Sequence, residues 1–233
     1  MLEMEAVREI IRRALEEDIR SGDVTTACAL AGTEKGTAQA LAKEDLVVAG
    51  LEVFREVFRV RDAAIVFRSA LQDGARVRRG TVLTTLEGPL AGILTAERVA
   101  LNLLQRMCGI ATLTRRFVDA VAGTKAAILD TRKTMPGLRV LDKYSVRVGG
   151  GRNHRYGLYD GILIKDNHIE AAGGIGAAVR RVRAKAPLLV RVEVEAKTLA
   201  EVRQALAAGA DVIMLDNMPT DAMRKAVALI GGR

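Results

Sequence analysis

Apolar positions in the first 19 residues recur at helical spacing. Val7, Ile10, Ile11, Ala14, Leu15 and Ile19 stand among Glu and Arg, so one amphipathic helix is predicted there. Ser21-Gly22-Asp23 ends that pattern. Shorter apolar runs follow. Gly36 to Leu41, Leu46 to Val48, Ala64 to Phe67 and Thr81 to Leu86 read as strands. A helix is predicted from Gly50 to Phe58, a turn at Asp73-Gly74 and another at Glu87-Gly88-Pro89. Short strands around a helix predict a small α+β domain with a mainly antiparallel sheet.

A helical pattern then runs from Thr95, a candidate N-cap, to Gly123. Gly109 marks either a break in it or a close approach to another backbone. Beyond Gly123 the pattern changes to strand–helix alternation. Ala126 to Asp130, Gly161 to Ile164, Leu188 to Val194 and Val212 to Leu215 have strand length. Ile175 to Ala186, Leu199 to Ala208 and Thr220 to Leu229 have helical spacing. Alternation with short loops predicts a parallel sheet or barrel. Four such units do not close an eight-unit barrel, so an incomplete, C-terminally truncated α/β barrel is expected.

Composition narrows the class. The chain has 233 residues, about half of them apolar, enough for a sizeable core. No run approaches the ~20 apolar residues of a membrane helix, and the acidic N-terminus has no apolar stretch of the signal-peptide kind. Cys28 and Cys108 lie far apart without metal-ligand spacing, which suits a reduced cytoplasmic protein. The net charge of +8 raises nucleic acid as a partner. Aromatics are 3% of residues, so base-stacking platforms are scarce, and the cations gather at the ends of apolar runs. Small anionic substrates fit that pattern better than nucleic acid.

The predicted strands end in functional groups. The first ends in Arg132-Lys133, the second in Lys165-Asp166-Asn167, and the last in Asp216-Asn217; the third carries Glu193 and Glu195. In βα folds the loops at the strand carboxyl ends converge, and active sites lie there. Arg132 and Lys133 read either as surface residues or as ligands of a carboxylate or phosphate. Arg139, Lys143, Arg147, Arg152 and Arg155 enrich the same loop. Gly149-Gly150-Gly151 reads as a flexible connection or as backbone N–H groups approaching an anion. His154 is the better site candidate of the two histidines; His168 opens a helical segment and suits a capping or packing role. Glu195 and Asp216 read as salt-bridge partners, as Mg²⁺ ligands through water, or as stabilisers of a developing cation such as an oxocarbenium ion.

Longer motifs carry a resemblance. Asp130-Thr131-Arg132-Lys133-Thr134, the run Gly149 to Arg155, and the run Gly157 to Ile169 resemble quinolinate phosphoribosyltransferase, the carboxylating nicotinate-nucleotide pyrophosphorylase family. So do Gly22-Asp23-Val24-Thr25-Thr26, Glu87-Gly88-Pro89, Glu97-Arg98 with Leu101 to Arg106, and Met214-Leu215-Asp216-Asn217. Arg20 stands where that family usually has glycine.

The resemblance implies an N-terminal α+β sandwich domain (1–105) and an α/β-barrel catalytic domain (106–233) lacking its last strands and their phosphate-binding loops. It implies transfer of phosphoribosyl from phosphoribosyl pyrophosphate to quinolinate with decarboxylation, giving nicotinate mononucleotide, pyrophosphate and CO2 in NAD biosynthesis, with Mg²⁺. Arg132 and Arg155, with Arg98 from the neighbouring subunit of a homodimer, would hold the quinolinate carboxylates, and His154 and Thr131 would line the pocket. Lys133 and Lys165 would meet substrate and pyrophosphate oxygens; Glu195 and Asp216 would face ribose and metal. Lys133, Glu195 and Asp216 are the catalytic candidates. The alternatives are a related phosphoribosyltransferase for another heterocycle and a non-catalytic anion-binding fragment.

Overall fold

The computed structural model describes residues 2–232, and packing divides the chain into two compact units, Met1–His154 and Arg155–Arg233.

The first unit opens with α1 (Met4–Ile19), which buries Val7, Ile11 and Leu15 along one stripe. Its C-cap, Arg20, has a φ of 42°, the left-handed region that glycine enters at least cost. A short helix, α2 (Val24–Ala29), follows, which the apolar pattern did not predict. Its signal was the cap: the Asp23 side chain accepts from Thr26 N at 3.0 Å. The strands are β1 (Lys35–Leu41), β2 (Leu46–Val47), β3 (Val66–Arg68), β4 (Arg76–Val77) and β5 (Val82–Pro89). As expected, pairing is antiparallel, in the order β1-β5-β3 with a separate β2-β4 ribbon. Glu87-Gly88-Pro89 is not a turn but the end of β5, paired with Lys35 to Thr37.

Helix α3 (Leu51–Arg61) buries Val53, Phe54, Val57 and Phe58. Its Glu56 is also buried, and it is paired with Arg8 of α1 at 2.7 Å and with Arg59 at 2.8 Å. Asp73 accepts from Gly50 N and Leu51 N at the start of α3, so the predicted Asp73-Gly74 turn also supplies that helix's cap.

The backbone of the unit is α4 (Leu90–Ala120), 31 residues without interruption. Two predictions fail here. The helix begins at Leu90, and Thr95 is a buried interior residue that donates to Asp23. Gly109 neither breaks the helix nor meets another backbone; a Cβ there would face open space. The cooperativity of a helix packed along its length outweighs a single glycine's cost of ~1 kcal/mol. The basic stretch after Asp130 was read as a loop, yet Arg139–Val148 forms α5, burying Leu141, Asp142, Lys143 and Ser145. The predicted strand Ala126 to Asp130 is reduced to an isolated bridge between Leu129 and Arg152.

The second unit is a parallel sheet, ordered β6 (Ile162–Ile164), β7 (Val192–Ala196) and β8 (Val212–Leu215). It carries α6 (Asp166–Ala172), α7 (Ile175–Arg183), α8 (Leu199–Ala207) and α9 (Thr220–Ile230). Val192 and Val194 are fully buried against Ile175 and Val179. Strand β7 starts later than predicted: Leu188 and Leu189 are 96% and 94% exposed, so an apolar run there does not mark burial. The α/β class is as expected, with an antiparallel-sheet portion first and βα alternation after it.

Candidate active site

In the first unit the site residues hang on Asp130. Its Oδ1 accepts from Lys143 Nζ at 2.5 Å and from His154 N at 2.9 Å, and its Oδ2 accepts from Asn153 Nδ2 at 2.5 Å. Lys143 Nζ also donates to the His154 carbonyl at 3.0 Å. The Lys143 side chain is fully buried, so it is no solvated member of a basic loop. A buried cation needs a partner, and Asp130 supplies it. The pair thereby fixes the backbone of Asn153 and His154.

The glycine run has a different use from either predicted one. Gly150 N donates to Arg147 O and Gly151 N to Val146 O, closing α5 in a Schellman arrangement with Gly150 at φ 92°. Gly149 lies so close to α4 that a Cβ would come within 2.6 Å of the Ala111 carbonyl oxygen. These N–H groups are therefore spent on helix capping, and the run is a packed turn.

Arg132 is half-buried, and its Nε is shielded from water without a hydrogen-bond partner among the described residues. A buried guanidinium N–H left unpaired is costly, which suits a group kept for an anionic ligand. Lys133 is exposed, and its N–H donates to Thr131 Oγ1 at 3.0 Å. The turn is pinned at its far end by Asp142, which accepts from Met135 N at 3.1 Å and from Arg106 at 2.7 Å. Arg139 is turned to Thr134 Oγ1, and Arg147 stacks over the Tyr144 ring. Arg98 is exposed on α4.

In the second unit the strand register aligns the charges. Ile164 pairs with Val194 and Glu195 with Met214, so Lys165, Glu195 and Asp216 fall on one face at the carboxyl ends of three adjacent strands. Lys165 Nζ lies 3.3 Å from Glu195 Oε2. Asp216 is held where the chain turns: Asn217 adopts φ 51° and its Nδ2 donates to Asp216 Oδ1 at 2.8 Å. Asn tolerates that conformation better than most side chains. Arg155 packs on Gly161 and donates to its carbonyl at 3.1 Å. His168 accepts from Lys165 N at 3.0 Å, the capping role read for it.

Sequence reasoning missed Lys197. Its Nζ lies 2.7 Å from Asp166 Oδ2, and the Asp166 partner first, then Asp216 and Glu195 at longer range, hold its pKa above the usual lysine range. The signal available was its position two residues after Glu195, hence on the same side of an extended chain. Among the described residues no cluster of three or more His, Cys, Asp or Glu is placed to hold a metal. Glu195 and Asp216 still suit Mg²⁺, which commonly takes one or two carboxylates together with waters and substrate phosphates.

A lysine and two carboxylates at the carboxyl ends of adjacent parallel strands suit an enzyme that handles small anions there. Family models sharpen this. The quinolinate phosphoribosyl transferase N-terminal domain matches residues 23–108, and the C-terminal domain matches residues 110–233. The nicotinate-nucleotide pyrophosphorylase (carboxylating) of Mycobacterium leprae is 49% identical over 222 residues, covering 93% of this chain and 77% of that protein. The probable nicotinate-nucleotide pyrophosphorylase (carboxylating) of Bacillus subtilis is 45% identical, covering 94% of this chain and 75% of that protein. The crystal structure of NadC from Streptococcus pyogenes superposes with a TM-score of 0.94 at 42% identity, covering 100% of this chain and 82% of that one. The chain belongs to the quinolinate phosphoribosyltransferase family.

Proposed function

We propose that the protein transfers phosphoribosyl from phosphoribosyl pyrophosphate to quinolinate with loss of CO2, forming nicotinate mononucleotide for NAD synthesis. The observation that carries this is 45–49% identity, over more than nine-tenths of the chain, to proteins named for that activity. The pyridine nitrogen forms the new bond to the ribose carbon as the bond to pyrophosphate breaks, and the leaving group takes the electron pair. The carboxylate beside that nitrogen then leaves as CO2, and a proton replaces it on the ring.

The residues divide this work. Arg132 and Arg155 are each assigned to a quinolinate carboxylate, and His154 and Thr131 to the lining beside Arg132. The unpartnered Arg132 Nε supports the first assignment. Lys133 and Lys165 meet substrate and pyrophosphate oxygens. Glu195 and Asp216 stabilise positive charge developing at the ribose carbon, an electrostatic task for fixed carboxylates. Mg²⁺ bound at Glu195 and Asp216 through water would neutralise pyrophosphate charge. Arg98 is exposed with no intrachain partner among the described residues, which supports a homodimer in which it serves the neighbouring site.

We read the functional division at 105/106, within α4; that the two family models meet at 108–110 supports a boundary in this helix. No helix among the described residues is long and apolar enough to cross a membrane. The setting we propose is cytoplasmic, where free thiols such as Cys28 and Cys108 stay reduced. The test is formation of nicotinate mononucleotide from quinolinate, phosphoribosyl pyrophosphate and Mg²⁺. Folded protein that makes no product overturns the assignment. Nicotinate outcompeting quinolinate would point instead to a relative with another heterocycle.

A further inference from the structure

The first unit contains an open surface pocket of about 370 Å³ that shares no residue with the candidate active site. Arg76, Arg78, Arg115 and Arg116 line it, above an apolar wall of Leu46, Val47 and Val77. Two of the arginines are held in advance. Arg76 Nη2 donates to both Asp119 oxygens, at 2.8 and 2.9 Å. The Arg115 guanidinium lies along Gly150, where a Cβ would come within 2.9 Å of Nη2, and its Nε is buried without a hydrogen-bond partner among the described residues. Arg78 and Arg116 are exposed and make no ion pair among the described residues. Two carboxylates stand against the four guanidiniums. Asp119 is shared by Arg76 at 2.8 Å and Arg115 at 3.9 Å, and Asp45 accepts from Arg79 N at 2.9 Å.

We infer that this pocket binds a nucleoside diphosphate. The charge surplus calls for a multiply charged anion, and guanidinium forks match phosphate oxygens in geometry. The volume lies in the range of small-ligand sites, and an apolar wall beside a cationic rim suits a flat ring joined to phosphates. Arginines already fixed by Asp119 and Gly150 lose little freedom on binding.

Calorimetric titration of ADP into the full chain tests this. Binding is expected in the unaltered protein and in Arg132→Ala. The double variant Arg78→Ser/Arg116→Ser should bind ADP at least tenfold more weakly, with unchanged quinolinate affinity and unfolding midpoint. Absence of ADP binding overturns the inference, as does loss in Arg132→Ala but not in the double variant. Equal affinity for inorganic diphosphate would overturn the role given to the apolar wall.

Discussion

Lys143 Nζ and Asp130 Oδ1 lie 2.5 Å apart, with the lysine side chain fully buried and the aspartate side chain 6% exposed. Neither charge has bulk water to fall back on. The pair ties α5 to the chain end that leads into Arg132, and through the His154 N–H and carbonyl it sets the conformation of the histidine segment.

Asp130→Ala should therefore unfold more readily. Removing one member of a buried pair leaves an uncompensated charge and costs about 3–5 kcal/mol. Urea denaturation measures this. Asp130→Leu with Lys143→Met should lose less than Asp130→Ala alone, because no charge is then stranded; a larger loss would refute the account.

Arg132→Ala and Arg155→Ala should each weaken quinolinate binding by ~1.5–3 kcal/mol, the worth of a charge-assisted hydrogen bond. Calorimetry with quinolinate alone measures it, with circular dichroism as the check on folding. Unchanged affinity would remove that arginine from the carboxylate site.

Glu195→Gln keeps the shape of a side chain that sits 3.3 Å from Lys165 but removes its charge. If the carboxylate stabilises the developing ribose cation, kcat should fall on the order of 10²-fold, the scale on which fixed electrostatic groups act. Quinolinate Kd should not change. A variant that raises only KM would place Glu195 in ground-state binding.

Gly149→Ala should destabilise the fold by about 1–3 kcal/mol, since the new Cβ meets the α4 backbone at Ala111 and must displace it. Gly109→Ala, on the open face of the same helix, should be neutral or stabilising. Thermal unfolding of the two variants separates a packed glycine from a tolerated one.

Burial pushes the Cys108 thiol up to about 11 from an ordinary 9.0. The folded state thus holds the proton more tightly than the unfolded chain. The stability this gives is complete below the unfolded value and is lost as pH rises through the folded one. The urea midpoint should fall as pH rises from 9.0 to about 11, and fall less in Cys108→Ala. The half-buried Tyr144 hydroxyl, which donates to Asp73, is raised as well and adds to the loss at the upper end. Equal slopes in the two proteins would show that Cys108 does not contribute.

Much of this was legible in order along the chain. The α1 stripe, the antiparallel β1 and β5, the βα alternation and the acids and lysine at strand ends depend on periodicity and on where burial stops, both local properties. Arg132 and Glu195 were found because charged residues interrupt apolar runs there. Asp130, by contrast, looked like the last residue of a strand, and Lys143 like one more surface cation. Their burial depends on α5, whose polar sequence hides a helix that packs Leu141 and Ser145 inward. Lys197 was passed over because its partner, Asp166, is 31 residues away.

The sequence by itself determined the class, the family and the kinds of charge at the strand ends, since these follow from residue type and spacing. Tertiary structure alone decided which cations are buried, which glycines are packed and which N–H groups are already spent. Those outcomes depend on desolvation and on contacts between residues distant in the chain, and no local pattern records them.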